Sequence, residues 1–98
     1  MVYMVIEEFH DGDPVPAYRR FRDSGRLQPD GLKYLGSWIT KDLTRCYQVM
    51  ECDDHTLLDQ WMSRWSEVVS FEVIPVLTSP EAMSIVEPRL CRFGGKHM

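Results

Sequence analysis

Charged side chains interrupt strands that are otherwise apolar, and some of them are of the types that transfer protons. Glu7, Arg45 and Glu72 each lie within a run of large apolar residues. An unpaired carboxylate is costly to bury, and burial raises its pKa toward the range of a general base. Glu7 or Glu72 is therefore a candidate catalytic base, and Arg45 is a candidate cation that would stabilise an enolate-like anion. The more common alternative is a structural salt bridge, or carboxylates exposed at the rim of the sheet.

Aromatic residues occur among these polar groups, and the combination is typical of a pocket for a small, partly apolar molecule. Trp38, Tyr47 and Trp61 are expected to line such a cleft. One or more of Glu7, Glu51 and Glu72 would serve with Arg45 as polar anchors. The predicted ligand-binding residues are Trp38, Arg45, Tyr47, Gln48, Glu51 and Trp61.

The sequence favours neither a metal site nor a site for an organic cofactor. His10, His55 and His97 are far apart along the chain, so solvated histidines are expected. Glu8 and His10 on one strand face, with a thiol, would bind a metal only if the fold brought such ligands together. No phosphate-binding loop, dinucleotide-binding glycines, nucleophile elbow or HExxH motif is present. We therefore predict no metal and no cofactor.

Composition indicates an ordinary globular domain with an acidic balance. The 98 residues carry a formal net charge of −4 at pH 7 with a pI of about 5.2, which argues against a nucleic-acid partner. The stretch LTRCYQVM also lacks the glycine and aromatic pair with which RNA-binding domains of this plan stack bases. The three cysteines are expected to be reduced thiols. No leader and no membrane-length apolar run is seen, so we expect a cytoplasmic protein without a membrane partner.

Periodicity predicts four strands and two main helices that position these residues. The strands are expected at residues 2–9, 32–40, 43–52 and 70–78, with a short hairpin turn at Lys41 and Asp42. The first helix is expected to begin at Asp13 and Pro14 and to end at Gly25. Its inward stripe is Ala17, Tyr18 and Phe21, and its arginines, Arg19, Arg20, Arg22 and Arg26, are expected to face out.

The second helix carries the clearest apolar stripe of the chain, and Asp53 and Asp54 are expected to cap it. A short third helix is predicted from Pro80 to about Val86, with Ser79 as its N-cap. We expect one domain over residues 1–86, followed by a tail over residues 87–98 that is mobile or packed on a partner subunit. The stripe of the second helix is Leu57, Leu58, Trp61, Met62, Trp65, Val68 and Val69.

The predicted order β-α-β-β-α-β is the split βαβ plan of ferredoxin-like domains, which are α+β proteins with helices on one face of an antiparallel sheet. Pro75 tests this prediction, because a proline cannot donate to a strand ladder and belongs on an edge strand. In the usual order for this plan (fourth, first, third, second) the fourth strand is at the edge. Pattern and topology therefore agree.

Both alternating registers of the strands are apolar, yet two helices can cover only one sheet face. The uncovered face would exceed the apolar patch that monomers tolerate, so we predict a homodimer that packs sheet against sheet. A monomer whose tail covers this face is the alternative. One set of registers contains Tyr3, Val5, Tyr47, Val49, Phe71 and Val73, and the other contains Met4, Ile6, Cys46, Met50, Ile74 and Val76.

The segments MVYMVIEEF, RCYQVME and DQWMSRWSEVVSFEVIPV resemble the bacterial family catalogued as domain of unknown function 3303, collinearly over residues 1–86. That family is similar to the dimeric α/β-barrel group, in which two ferredoxin-like subunits pack sheet against sheet. The group includes cofactor-free monooxygenases, muconolactone isomerase-like enzymes and small metal-binding proteins. The resemblance implies the fold and the dimer and leaves the activity open. The resemblance is carried by Glu7, Trp38, Arg45, Gln48, Glu51, Trp61, Trp65, Phe71, Glu72 and Pro75.

Three functional hypotheses follow. The first is a homodimer that binds a small, partly apolar ligand. The second is a cofactor-free isomerase or monooxygenase that uses Glu7 or Glu72 as its base and Arg45 as its cation. The third is a purely structural or interaction dimer whose core is filled. A cavity beside the candidate residues would separate the first two from the third.

Overall fold

The computed structural model describes the backbone of residues 1–92 and the side chains of residues 1–90, and it confirms the ferredoxin-like α+β plan. The four strands form one antiparallel sheet in the order β2-β3-β1-β4, so Pro75 lies on an edge strand as predicted. The elements are β1 (Val2–Phe9), α1 (Val15–Ser24), β2 (Lys33–Ile39), β3 (Arg45–Glu51), α2 (His55–Ser63), β4 (Val69–Val76) and α3 (Ser79–Arg92), with a 3-10 turn at His10–Gly12.

The ends of α1 and the start of α2 follow the predicted capping chemistry. Asp13 Oδ1 accepts a hydrogen bond from the Val15 N–H at 3.0 Å. Gly25 ends α1 with a φ of 73°, a left-handed conformation that glycine adopts without steric cost. Asp54 caps α2 by accepting from the Thr56 N–H at 2.9 Å. Local side-chain chemistry therefore determines where these helices begin or end.

The helix α2 is shorter than the apolar stripe that predicted it. It ends at Ser63, and the chain continues through turns in which the Trp65 N–H bonds the Met62 carbonyl and the Val68 N–H bonds the Trp65 carbonyl, both at 3.0 Å. Each of these bonds joins residues three apart, as in a 3-10 helix, so the backbone is wound more tightly than in an α-helix. The apolar side chains that follow α2 still face the sheet. Trp65 is therefore buried without being helical.

The helix α3 is longer than predicted. It runs from Ser79 to Arg92 and includes Pro88. Its N-terminus is capped by Thr78, where Ser79 was predicted. The Thr78 hydroxyl accepts from the Glu81 N–H at 3.2 Å, and the Thr78 N–H donates to the Glu81 carboxylate at 2.8 Å. The rest of the predicted tail, residues 93–98, lies outside the described residues.

The connection between β2 and β3 is longer than the two-residue turn predicted from the sequence. It spans residues 40–44, and the Asp42 carboxylate organises it by accepting hydrogen bonds from both the Thr40 and the Thr44 hydroxyl. These bonds hold the pKa of Asp42 below its usual value. Leu43 adopts a φ of 63°, which closes the turn without a glycine.

The pairing register decides which side chains share a sheet face. Glu7 lies beside Cys46 and Phe71, and Val5 lies beside Gln48 and Val73. Odd residues of β1 and β4 therefore share the helix-covered face with even residues of β3, because directly paired residues point the same way. The prediction of which residues share a sheet face is therefore wrong for β3. Tyr47 and Val49 lie on the face of Met4 and Ile6, and Cys46 and Met50 lie on the face of Tyr3 and Val5.

The helix-covered face forms the core, and Val5, Met50, Leu58, Trp61 and Val69 are its most deeply buried large side chains. The opposite side of the sheet, which we call the open face, is not covered by α1 or α2. Its apolar residues are half-buried or exposed. They are Val2, Met4, Ile6, Trp38, Tyr47, Val49, Ile74 and Val76.

Candidate functional site

A pocket of about 220 Å³ lies on the helix-covered face, between the sheet and α1, and we call it the Glu7 pocket. Most of its wall is apolar or aromatic. Glu7, Arg26, Ser37, Cys46 and Gln48 supply its polar groups. Its apolar wall includes Phe9, Ala17, Tyr18, Phe21, Ile39 and Trp61.

Glu7 reaches the pocket from the central strand β1. Burial raises the pKa of its carboxyl from 4.5 to about 7, and the positive charge of Arg26 opposes part of that rise. The described side chains provide this carboxyl with neither a hydrogen bond nor a salt bridge. Glu7 therefore exchanges protons near neutral pH, the property required of a general acid or base.

Arg26 follows the Gly25 cap, and its side chain turns inward. The guanidinium donates from Nη1 to Gln48 Oε1 at 3.2 Å and lies 3.6 Å from the centre of the Tyr34 ring. Stacking on an aromatic face and one amide hydrogen bond hold the cation without neutralising it. Among the described residues it forms no salt bridge. The prediction that Arg26 faces outward is wrong, because it lies beyond the end of α1 and leaves the outer helical stripe.

The backbone at Arg26 is fixed by the two core tryptophans. The Arg26 carbonyl oxygen accepts both indole N–H groups, from Trp61 at 3.0 Å and from Trp65 at 2.9 Å. The next residue, Leu27, has a φ of 62°, and its carbonyl accepts from Arg64 Nη1 at 2.7 Å. Such a backbone conformation is unfavourable for leucine and persists only where the surroundings hold it. The core thus positions the cation of the pocket.

The other titratable groups of the pocket stay protonated at neutral pH. Burial, with a smaller contribution from the Glu7 charge, raises the pKa of the Cys46 thiol to about 12. Burial also raises the pKa of the Tyr18 hydroxyl. A thiol is nucleophilic only as the thiolate, so Cys46 contributes to packing. Cys46 and Cys52 are both buried free cysteines.

The predicted site residues are divided between the two faces of the sheet. Glu7, Gln48 and Trp61 line the Glu7 pocket. The structure does not bring Arg45 to Glu7, because neighbouring strand residues alternate in direction and Arg45 pairs with Glu8. Trp38, Arg45, Tyr47, Glu51 and Glu72 all lie on the open face.

Most of the candidates on the open face are solvated, and their charges compensate each other. Arg45 is salt-bridged to Glu8 at 3.4 Å, with 49% of its side chain exposed. Trp38 is 64% exposed, and Glu72 is also exposed. Glu51 borders a second, smaller pocket of about 120 Å³ beside Lys33 and Asp53. An exposed ion pair of this kind contributes little to binding or stability.

Arg26, Tyr18 and Cys46 are pocket residues that sequence reasoning did not select as site residues. Arg26 was grouped with the helix arginines, although its place just after Gly25 puts it in the connection to β2. Trp61 and Trp65 provide a second signal that a backbone segment packs against α2. A buried indole N–H needs a hydrogen-bond acceptor, and this is usually a backbone carbonyl. The sequence does not show which carbonyl accepts these two hydrogen bonds.

In the part of the chain that the structure describes, no group of three or more histidine, cysteine, aspartate or glutamate residues is placed to hold a metal ion. Within the same residues, no helix has both the length and the apolar character needed to cross a membrane. His10 instead lies 3.2 Å from the Ser70 hydroxyl, within hydrogen-bonding distance.

Comparison with known proteins identifies the family of the chain. The family model described as Domain of unknown function (DUF3303) matches residues 1–90, so the chain belongs to this family. This match confirms the resemblance inferred from the sequence. Neither a curated protein nor a solved structure gives a significant match.

Proposed function

We propose that this member of the DUF3303 family binds a small, partly apolar molecule in the Glu7 pocket. The observation that carries the proposal is one cavity whose mostly apolar wall includes the polar side chains of Glu7, Arg26 and Gln48. Ligand sites typically combine a mostly apolar lining with a few polar groups that orient the ligand. An engineered apolar cavity of about 150 Å³ accepts benzene. A pocket of about 220 Å³ therefore suits a compound of one or two rings.

Binding in the pocket is tested with two probes of the same shape, 2-naphthoate and 2-naphthamide. We expect the backbone amide resonances of pocket residues to shift on addition of at least one probe. Ala17→Leu adds three carbons to the buried pocket wall, so it should weaken binding about tenfold or more. Ala82→Leu, outside the pocket on α3, is the matched control and should bind as the wild type does. Absence of any shift at millimolar probe would contradict the proposal.

A second candidate is a cofactor-free isomerase or monooxygenase that uses the same pocket. The observation that favours it is the Glu7 carboxyl, whose pKa of about 7 suits a general base. Arg26 would take the role predicted for Arg45, stabilising negative charge on an enolate-like intermediate. This function requires ionised Glu7, so its rate would rise with pH through about 7. The third hypothesis, a dimer with a filled core, receives no support from a molecule with this cavity.

The homodimer is part of the same proposal. Two apolar surfaces within residues 1–90 support it. One is the open face, and the other is a stripe on α3 formed by Met83, Val86 and Leu90, all exposed. Contiguous exposed apolar patches often mark interaction sites, and two-fold symmetry would let two identical open faces cover each other. The stripe on α3 would then add contacts with the partner.

The dimer is tested by placing a charge at the centre of the open face. Val49 is on the inner strand β3 and is half-buried, so Val49→Glu would bury an unpaired carboxylate in the interface. We expect light scattering to give twice the chain mass of 11.5 kDa for the wild type and the single-chain mass for this variant. Gln60→Glu adds the same charge to the exposed side of α2 and should stay dimeric. A wild-type particle of 11.5 kDa at micromolar concentration would refute the dimer.

A further inference from the structure

The Glu7 pocket contains a positive charge that forms no salt bridge with any side chain of residues 1–90. Among these residues the Arg26 guanidinium contacts the Gln48 amide oxygen at 3.2 Å, the Tyr34 ring at 3.6 Å and the Phe21 ring at 5.2 Å. None of them is anionic. Partly buried arginines are usually paired with a carboxylate, because desolvating an unpaired charge is costly. The pairing capacity of this guanidinium is therefore available to a ligand.

Glu7 is the one acidic residue among the described residues that line the pocket, but it does not pair with Arg26. The two side chains line the same cavity without forming a salt bridge. Burial also keeps a substantial fraction of Glu7 in its neutral form at pH 7. A protonated carboxyl donates one hydrogen bond, which an anionic oxygen accepts strongly. The pocket thus contains a cation and, when Glu7 is protonated, a hydrogen-bond donor.

We infer that the ligand is a small organic carboxylate of one or two rings, with its carboxylate bound to Arg26 on the side of the pocket that Glu7 also lines and its rings against the aromatic wall. This inference rests on the proposed binding function and names the ligand class. A planar guanidinium binds carboxylates through paired hydrogen bonds, which gives both strength and orientation. A neutral ligand would leave Arg26 uncompensated, and a cationic ligand would be repelled by it.

The charge of the pocket changes with pH near neutrality because one group, the Glu7 carboxyl, gains or loses a proton. The groups facing Glu7 are Arg26 from the connection after α1, Tyr18 from α1 and Cys46 from β3. The raised pKa values of Tyr18 and Cys46 keep both uncharged at neutral pH. Ionised Glu7 cancels the charge of Arg26, whereas neutral Glu7 leaves the site positive. A carboxylate ligand should therefore bind more tightly as the pH falls through about 7, with uptake of a proton.

The test compares 2-naphthoate with its neutral isostere 2-naphthamide by isothermal titration. At pH 6 we expect the wild type to bind the acid about tenfold or more tightly than the amide. Arg26→Gln should abolish that preference by weakening binding of the acid more than binding of the amide, while Arg26→Lys, which keeps the charge, should retain part of it. Arg22→Gln removes an exposed arginine that is paired with Asp23, and this control should behave as the wild type does. Circular dichroism verifies that each variant is folded.

The pH dependence gives an independent readout. Between pH 6 and pH 8 the wild-type affinity for 2-naphthoate should fall about tenfold, and Glu7→Gln, which cannot ionise, should remove that fall. Equal binding of acid and amide, or acid binding that strengthens as pH rises, would overturn the carboxylate assignment while leaving the pocket as a binding site. Failure of both probes to bind would overturn the proposed function itself.

Discussion

Replacing Trp61 with alanine is expected to lower the free energy of unfolding by about 3 to 5 kcal/mol, a large part of the total stability of a domain of this size. The indole is 2% exposed and packs against Phe71 with ring centroids 5.6 Å apart. Its removal deletes a large buried surface and leaves a void beside the Glu7 pocket. The variant also loses the hydrogen bond to the Arg26 carbonyl. Urea denaturation of wild type and variant measures the difference.

Two controls separate packing from hydrogen bonding at this position. Trp61→Phe keeps an aromatic ring but not the N–H, and it should cost only about 1 to 2 kcal/mol, because Trp65 still bonds the Arg26 carbonyl. Trp38→Ala removes the same side chain from a site that is 64% exposed, and it should cost less than about 1 kcal/mol when both tryptophan variants are compared in the monomeric Val49→Glu background. A loss for Trp61→Ala as small as that for Trp38→Ala would show that Trp61 is not part of the core.

The stability of the protein should fall as the pH rises from about 4.5 to above 7, and Glu7→Gln should remove this loss. The folded state holds the Glu7 proton up to a pKa of about 7, whereas the unfolded chain releases it near 4.5. Because the folded state binds more protons in this interval, raising the pH favours unfolding. At about 1.4 kcal/mol for each pH unit, the full effect is about 3 kcal/mol. Below pH 4.5 Glu7 no longer makes the stability depend on pH, because it is protonated in both the folded and the unfolded state.

The measurement is urea denaturation of wild type and Glu7→Gln at pH values from 4 to 8.5. The stability of the variant relative to the wild type should increase across this range by about 3 kcal/mol. Glu8→Gln is the matched control, because Glu8 is the next residue of β1 but is 60% exposed and paired with Arg45. It should keep the wild-type pH dependence. A difference between wild type and Glu7→Gln that does not change with pH would contradict a buried, titrating Glu7.

The Glu7 pocket holds some of its groups at a cost to stability. Ionised Glu7 destabilises the fold, and Leu27 adopts an unfavourable backbone conformation beside Arg26. Costs of this kind often accompany functional sites, where the arrangement needed for binding differs from the most stable one. Replacing Glu7 should thus stabilise the protein while impairing the pH-dependent binding proposed above.

Much of the fold was predictable, because the signals that determine it are local. Alternating apolar residues predicted the strands, and Asp13, Gly25 and Asp54 marked helix ends through bonds within a few residues. Pro75 located an edge strand, because a missing N–H excludes a central position. The errors arose where tertiary packing prevails over periodicity, as at Trp65, which remains buried although α2 ends before it.

The candidate site was only partly predictable, because its residues are distant along the chain. Sequence reasoning selected Glu7 as a base and Trp61 as a pocket residue, and both line the cavity. It assigned the cationic role to Arg45, which the β1–β3 register places on the open face beside Glu8. Register depends on how whole strands pair, and a shift of one residue would move every side chain to the other face.

The sequence by itself determined the order of the elements, the edge position of β4 and the presence of a carboxyl in an apolar strand, since each follows from neighbouring residues. Only the tertiary structure decided that Glu7 and Arg26 line the same pocket. This arrangement requires the register of β1 with β3, and it requires two indoles from α2 and the following turn to hold one backbone carbonyl. Long-range pairing of this kind leaves no periodic pattern in the chain, so it becomes visible only when the strands and helices are packed.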